Sequence, residues 1–392
     1  MCDYMAYSPP VKTSSMLAQV ILDRLGHDDG GEDDCITLIR CNGREFHIEM
    51  SPSFFCNSPI IASRYRIFIA AVRDESRLAT EEEQGEDAEE VKVDFHAWLI
   101  AAFEPVFLAI APDIPPSFDP EKVATGEAMP LLSQYLFLAV YRCRLEAEND
   151  KPIPIHVQQD EESPLFPPLN HINEDVAQEL KLYVKFFSPS TIEVSFEDPE
   201  HALSGMPTRV LVDLDGSGVK TTCFFKSFTS SHYRGLEQQL EPYVQVLKSN
   251  LGNEVRVVRL LGVVTGSDGE KAAGLLLTYI DYRCEYDGIL DGSILRTPIP
   301  LRERWASQVR EIVEQLHQAR IVWGDAAAYN VMVDKNNDAW LIHVGLVNRY
   351  TEGWVDKEKA GTKEGDLQGV GKIVEFLSSG EPYEPDMDSD WE

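Results

Sequence analysis

Basic residues are scarce in this 392-residue chain: 35 Lys and Arg stand against 66 Asp and Glu, a formal net charge of −31. A surface of that sign repels phosphodiester backbones and anionic headgroups at long range, so neither nucleic acid nor membrane is an expected partner. Cysteine is sparse too. The seven residues are spread out without a C-x-x-C pair, which argues against a zinc cluster or a disulfide framework. Between Met1 and Lys12 stand Asp3 and two prolines where a secretory leader would place a basic and then an apolar segment. No apolar run reaches the roughly 18 residues needed to cross a bilayer. The expectation is a soluble intracellular protein, cytoplasmic or nuclear.

What is present is ordinary globular material. A hydrophobic share of 43% excludes a wholly disordered chain, and the length suggests two domains, each large enough for its own core. Acidic segments at 28–34, 74–90 and 381–392 read as solvated loops or ends. Between the first two, alternating runs from Cys35 to Cys41 and Arg44 to Met50 flank Asn42-Gly43, a strong hairpin signal. Helical spacing follows after Pro59 and again from Phe95 to Ala111. Residues 1–150 are therefore expected to form a small α+β domain. The prolines from Pro152 to Pro168 lead us to expect a linker over 151–185.

From Thr191 onward the sequence reads as short strands, TIEVSF, RVLVDL and TTCFFKSF, then a helix from Tyr233 to Ser249 and two further strands. A helix from Leu301 to Arg320 follows. This order predicts a β-rich lobe over 186–280, an α-rich lobe over 281–380, and an acidic tail at 381–392.

The segment IVWGDAAAYNVMVDKNNDAWLIHVGL, Ile321 to Leu346, carries the chemistry. A loop holds Asp325 and Asn330, a strand and turn follow, and a second strand leads into His343-Val344-Gly345. The segment resembles the catalytic loop and metal-binding motif of the protein-kinase fold, H-R-D-x-x-x-x-N followed by a hairpin and D-F-G. The longer pattern WGD…N…DAWLI…YTEGWVD…GTKEGDLQ…IVEFL resembles, more narrowly, a kinase-like family of filamentous fungi in which an acidic domain precedes a short kinase-like one. That likeness is loose over the whole chain and close from about Lys226 onward.

The resemblance implies an α+β protein with a bilobal kinase-like fold, its α-rich lobe truncated, behind a small α+β N-terminal domain. It also implies roles. Asp325 would be the catalytic base, Asn330 a metal ligand, and Lys226 the lysine that pairs with the α- and β-phosphates of ATP. Glu241 or Glu237 would be the carboxylate partner of Lys226, and Asp366 a structural residue supporting the catalytic loop. By their positions in the sequence alone, Trp323 and Trp340 are expected to pack beside that loop, and His317, near the end of the preceding helix, to cap its carbonyls or favour its dipole.

The departures from the pattern are chemical. Ala327 stands where kinases keep a lysine that neutralises the transferring phosphoryl group. His343 holds the place of the D-F-G aspartate among the cofactor-binding positions, and imidazole is a poor ligand for Mg²⁺. Between the first two strands EDPEHALSGMP offers only Gly205 in place of G-x-G-x-x-G. The expectation is a pseudokinase that binds a protein partner, admits ATP and holds Mg²⁺ weakly or not at all. The competing expectation is an active atypical kinase or small-molecule phosphotransferase using Asp325 and Asn330, with Asp334 supplying the missing ligand.

Overall fold

Asn42 and Gly43 take positive φ angles of 45° and 72°, the backbone a tight hairpin turn requires. In the computed structural model of this mixed α+β protein they join the strands Cys35–Cys41 and Arg44–Met50. The structure describes residues 11–12, 17–25, 33–74, 88–113, 120–127, 129–157, 170–171, 174–196, 207–228, 236–266, 271–282, 290, 297–345 and 351–379. The acidic tail, the EDPEHALSGM segment with Gly205, and most of the other two acidic segments lie outside these residues.

The chain divides into two compact units. One holds residues 3–167 and 189–210, the other 168–188 and 211–392. The first contains β1 (Val11–Lys12), β2 (Leu17–Leu25), β3 (Cys35–Cys41) and β4 (Arg44–Met50), then helices α1 (Pro59–Asp74) and α2 (Ala88–Ile110). Short helices α3 (Pro120–Thr125) and α4 (Ser133–Leu136) lead into β5 (Val140–Glu148) and β6 (Lys151–His156). The six strands lie in chain order in one sheet, antiparallel except for the parallel pair β4–β5. Helices α1 and α2 bury their apolar faces against it. Phe68 stacks on Phe95 at 4.0 Å between ring centroids, and Phe107 meets Phe46 at 4.6 Å.

The linker expectation fails at β6. Pro152 and Pro154 sit opposite Ala147 and Leu145 on the last strand of the sheet. Prolines two apart point their missing N–H groups to the same side, so an edge strand accommodates both. The turn into this strand is Asn149-Asp150, at φ 51° and 58°. Helix α2 also begins earlier than its periodicity suggested, and it is long and apolar enough by composition to cross a membrane.

In the second unit β7 (Asn170–His171), α5 (Glu174–Leu180) and β8 (Lys185–Phe187) come first. The chain then visits the first unit, where β9 (Glu193–Val194) bridges to Leu131. The run TIEVSF supplies β9 as the edge strand of the sheet that continues through RVLVDL and TTCFFKSF, as the sequence suggested, with Ser195 N–H donating to the Arg209 carbonyl at 3.0 Å. Strand β10 (Arg209–Val212) carries the chain back, followed by β11 (Thr221–Ser227), α6 (Leu236–Lys248), β12 (Leu260–Thr265) and β13 (Lys271–Thr278). The strand order of this sheet is β8-β12-β13-β11-β10-β9, with β7 paired to β13 and β8 parallel to β12.

Helix α7 (Ile299–Gln318) starts at Pro298-Ile299-Pro300, where prolines fit because the first helical N–H groups have no partners. It buries Trp305, Val309, Ile312, Val313 and Leu316. Strands β14 (Val331–Val333) and β15 (Ala339–Leu341) and helix α8 (Lys363–Ser379) complete the same core. Among the described cysteines, Cys41, Cys56, Cys143 and Cys223 are free thiols.

Candidate functional site

Helix α7 stops at Arg320, whose φ of 62° turns the chain back, and Ile321 N–H bonds the Leu316 carbonyl at 2.9 Å. The chain then runs inward to Trp323, fully buried, whose Nε1–H donates to the Ile342 carbonyl at 3.0 Å. Gly324 takes φ 90°, and Asp325 follows with 2% of its surface exposed.

This loop hangs on one carboxylate. Asp366, in the first turn of α8, accepts Trp323 N–H on Oδ2 at 2.7 Å and Gly324 N–H on Oδ1 at 2.8 Å. His317 Nε2 also reaches Oδ2, at 2.8 Å. The sequence suggested that His317 caps its helix. Instead it joins Asp366, and Lys363 Nζ caps α7 by donating to the His317 carbonyl at 2.7 Å. Helix α8 comes so close that a Cβ on Gly369 would lie 2.3 Å from the Ala326 carbonyl oxygen.

Downstream, the β14–β15 hairpin is fixed to α7 through Asp338. Its Oδ1 accepts bonds from Arg304 and Gln308, both at 2.6 Å. Burial pushes the Asp338 carboxyl up, but bonds from Gln308 and Arg304 outweigh it and hold the group below its ordinary value. Asp334 is used inside the hairpin. Its Oδ1 accepts the N–H groups of Asn336 and Asp338, and its Oδ2 accepts Trp340 Nε1–H.

The hairpin brings Asn330 and His343 together. Asn330 is fully buried, and its Nδ2 donates to the Asp325 carbonyl at 2.8 Å. Its Oδ1 lies 3.1 Å from His343 Nδ1. An amide oxygen only accepts, so this contact fixes the His343 tautomer with hydrogen on Nδ1. His343 holds a left-handed φ of 57°, and Gly345, at φ 90°, bonds the Trp323 carbonyl at 2.9 Å. The Asp325 carboxylate accepts a bond on Oδ1 from Thr351 Oγ1 at 2.8 Å. Thr351 falls within the YTEGWVD stretch of the sequence pattern, which assigned it no role. Only the folded loop reveals it.

Lys226 sits half-buried on β11, opposite Leu275 of β13. Glu241 is exposed on α6, and the side chain of Glu237 lies outside the described residues. The cluster proper is therefore Asp325, Asn330, His343, Thr351 and Asp366. Ala327 is fully buried beside it, with its carbonyl accepting Asn330 N–H at 3.0 Å.

Mg²⁺ asks for an octahedral shell of hard oxygens. Asn330, the expected metal ligand, spends its amide oxygen on His343, one Asp325 oxygen is taken by Thr351, and both Asp334 oxygens are used in the hairpin turn. Among the described residues no group of three or more His, Cys, Asp and Glu side chains gathers where a metal could be held. These residues do not fit the ion. Compared with known proteins, the chain matches no protein-family model and no curated protein.

Proposed function

We propose that the second unit is a kinase-like module that has lost efficient phosphoryl transfer and works as a pseudokinase, by binding a protein partner. The observation that carries this reading is the hydrogen bond between His343 Nδ1 and Asn330 Oδ1. In the kinase template the two positions supply ligands to Mg²⁺. Here they bond each other, so the site is closed internally by a side-chain pair. The cradle around Asp325 supports the same reading. Asp366 binds two successive loop N–H groups, an arrangement that orients a loop whether or not chemistry follows. Ala327 leaves transferring phosphate charge without a cation, so the loop is retained while the catalytic groups around it are not.

The test is to titrate ATP into the protein with Mg²⁺ and with EDTA, and to assay phosphate transfer on the same sample. Nucleotide affinity is expected to be the same within about tenfold, roughly 1.4 kcal/mol, in both solutions, with no transfer. A larger gain with Mg²⁺ would show a working metal site, and turnover abolished by Asp325→Asn would establish the active phosphotransferase instead.

A further inference from the structure

We propose that the N-terminal end of α7 is a binding site for a phosphate group, held by Arg302 and Thr297. Both side chains are almost wholly buried, at 7% and 4% exposure. The fold satisfies neither. Arg302 Nε and Nη1 and Thr297 Oγ1 are buried atoms with no hydrogen-bond partner among the described residues. A guanidinium carries a full positive charge, and burying one without an acceptor is strongly unfavourable. The carboxylates of the β14–β15 hairpin do not relieve it. That hairpin packs on this half of α7, where Trp305 Nε1–H donates to the Asn337 carbonyl at 3.0 Å. Asp338 accepts from Arg304 and Gln308, Asp334 holds its own turn, and Asp281 pairs with Lys335 at 2.8 Å.

The donors present select the kind of anion. Side chains of a helix lean toward its N-terminus, so the head of Arg302 lies over the turn that Thr297 and Pro298 open. The positive end of the helix dipole is there too. Leu301 N–H and Arg302 N–H both turn to the Pro298 carbonyl, and Pro300 has none, which leaves Ile299 as the first helical amide. A guanidinium, a hydroxyl and an amide within one turn suit the several acceptor oxygens of a phosphate better than the two of a carboxylate. Pro298, Ile299 and Pro300 are exposed, so this end of the helix is reached from solvent. The 20 residues of α7, about 30 Å, separate it from the loop that carries Asp325, so the site is distinct from the kinase-like cluster.

Thermal melts and calorimetric titrations of the full chain test this, starting in chloride buffer and adding inorganic phosphate or N-acetylphosphoserine amide at matched ionic strength. At least one of the two is expected to bind saturably and raise the melting temperature. Tighter binding of inorganic phosphate assigns the site to the free ion, and tighter binding of the phosphoserine compound assigns it to a phosphorylated side chain. Arg302→Met keeps the apolar stem and removes the charge, and is expected to weaken binding by about tenfold or more. In chloride alone the same variant is expected to melt at or above the wild-type temperature, because it no longer buries an unpaired charge. Thr297→Val, which removes the hydroxyl, is expected to weaken binding less than Arg302→Met does. No response to either compound beyond chloride, or binding unchanged in Arg302→Met, would overturn the proposal. So would an Arg302→Met chain that melts below the wild type in chloride, since the guanidinium would then already have its partner within the chain.

Discussion

Asp366 carries three hydrogen bonds on one buried carboxylate, two of them from the backbone N–H groups of Trp323 and Gly324. Truncation to Ala leaves those N–H groups orphaned inside the protein at about 1–3 kcal/mol each, so Asp366→Ala is expected to lower the melting temperature of the second unit sharply. Asp325→Ala gives up one hydroxyl contact, from Thr351, and is expected to cost less. Thermal melts of the two variants rank them; equal stabilities would mean that Asp366 does not anchor the loop. The spacing of Asp325, Asn330 and Asp366 was legible in sequence, because short loops tie each residue to an element whose ends can be read. The bond from His343 to Asn330 was not. It depends on how the hairpin returns to the loop, and no local pattern encodes that approach. The bond from Thr351 to Asp325 was not legible for the same reason.

A single carboxylate also decides how two elements meet at Asp338, where bonds from Arg304 and Gln308 join the β14–β15 hairpin to α7. Its carboxyl is held below the ordinary value in the folded protein, so the unfolded chain takes up a proton first as the pH falls. The stability it contributes is therefore complete above the unfolded carboxylate value near pH ~4, and is lost as the pH falls through the lower folded value. Asp338→Ala is expected to cost about 0.5–1 kcal/mol at neutral pH, because solvent screens this partly exposed pair, with the gap to wild type closing below pH ~4; denaturant midpoints across that range check it. A gap that stays constant into acid would show that packing, not the charge, carries the contact. At this scale the sequence was readable where signals were local. Asn42-Gly43 marked its hairpin, and apolar spacing marked α1, α2 and α7. It misled where pairing was remote. Pro152 and Pro154 suggested a linker because their tolerance on an edge strand depends on β5 supplying the partner. Strand β9 was placed in the right sheet, beside β10, but its bridge to Leu131 was not legible, because two residues, Glu193 and Val194, carry too little pattern to name a second partner more than sixty residues away.

Over the whole molecule, the two units draw on separate sets of buried side chains. Phe46, Phe68, Phe95, Phe103 and Phe107 belong to the core of the first, whereas Trp305, Val309, Trp323 and Ile373 belong to the second. Cooperative unfolding follows shared burial, so each unit is expected to melt as its own transition in a calorimetric scan of the full chain. The assignment can be made by substitution. Phe103 and Ile373 are both fully buried, and removing such a side chain to Ala costs about 2–5 kcal/mol through lost transfer energy and the cavity left behind. For units of this size that is a shift on the order of 10 °C. Phe103→Ala should move one transition and leave the other in place, Ile373→Ala should do the reverse, and Asp366→Ala should move the same transition as Ile373→Ala. If one transition answers to both core substitutions, the units do not unfold separately, and the loss at Asp366 would then be felt by the whole chain.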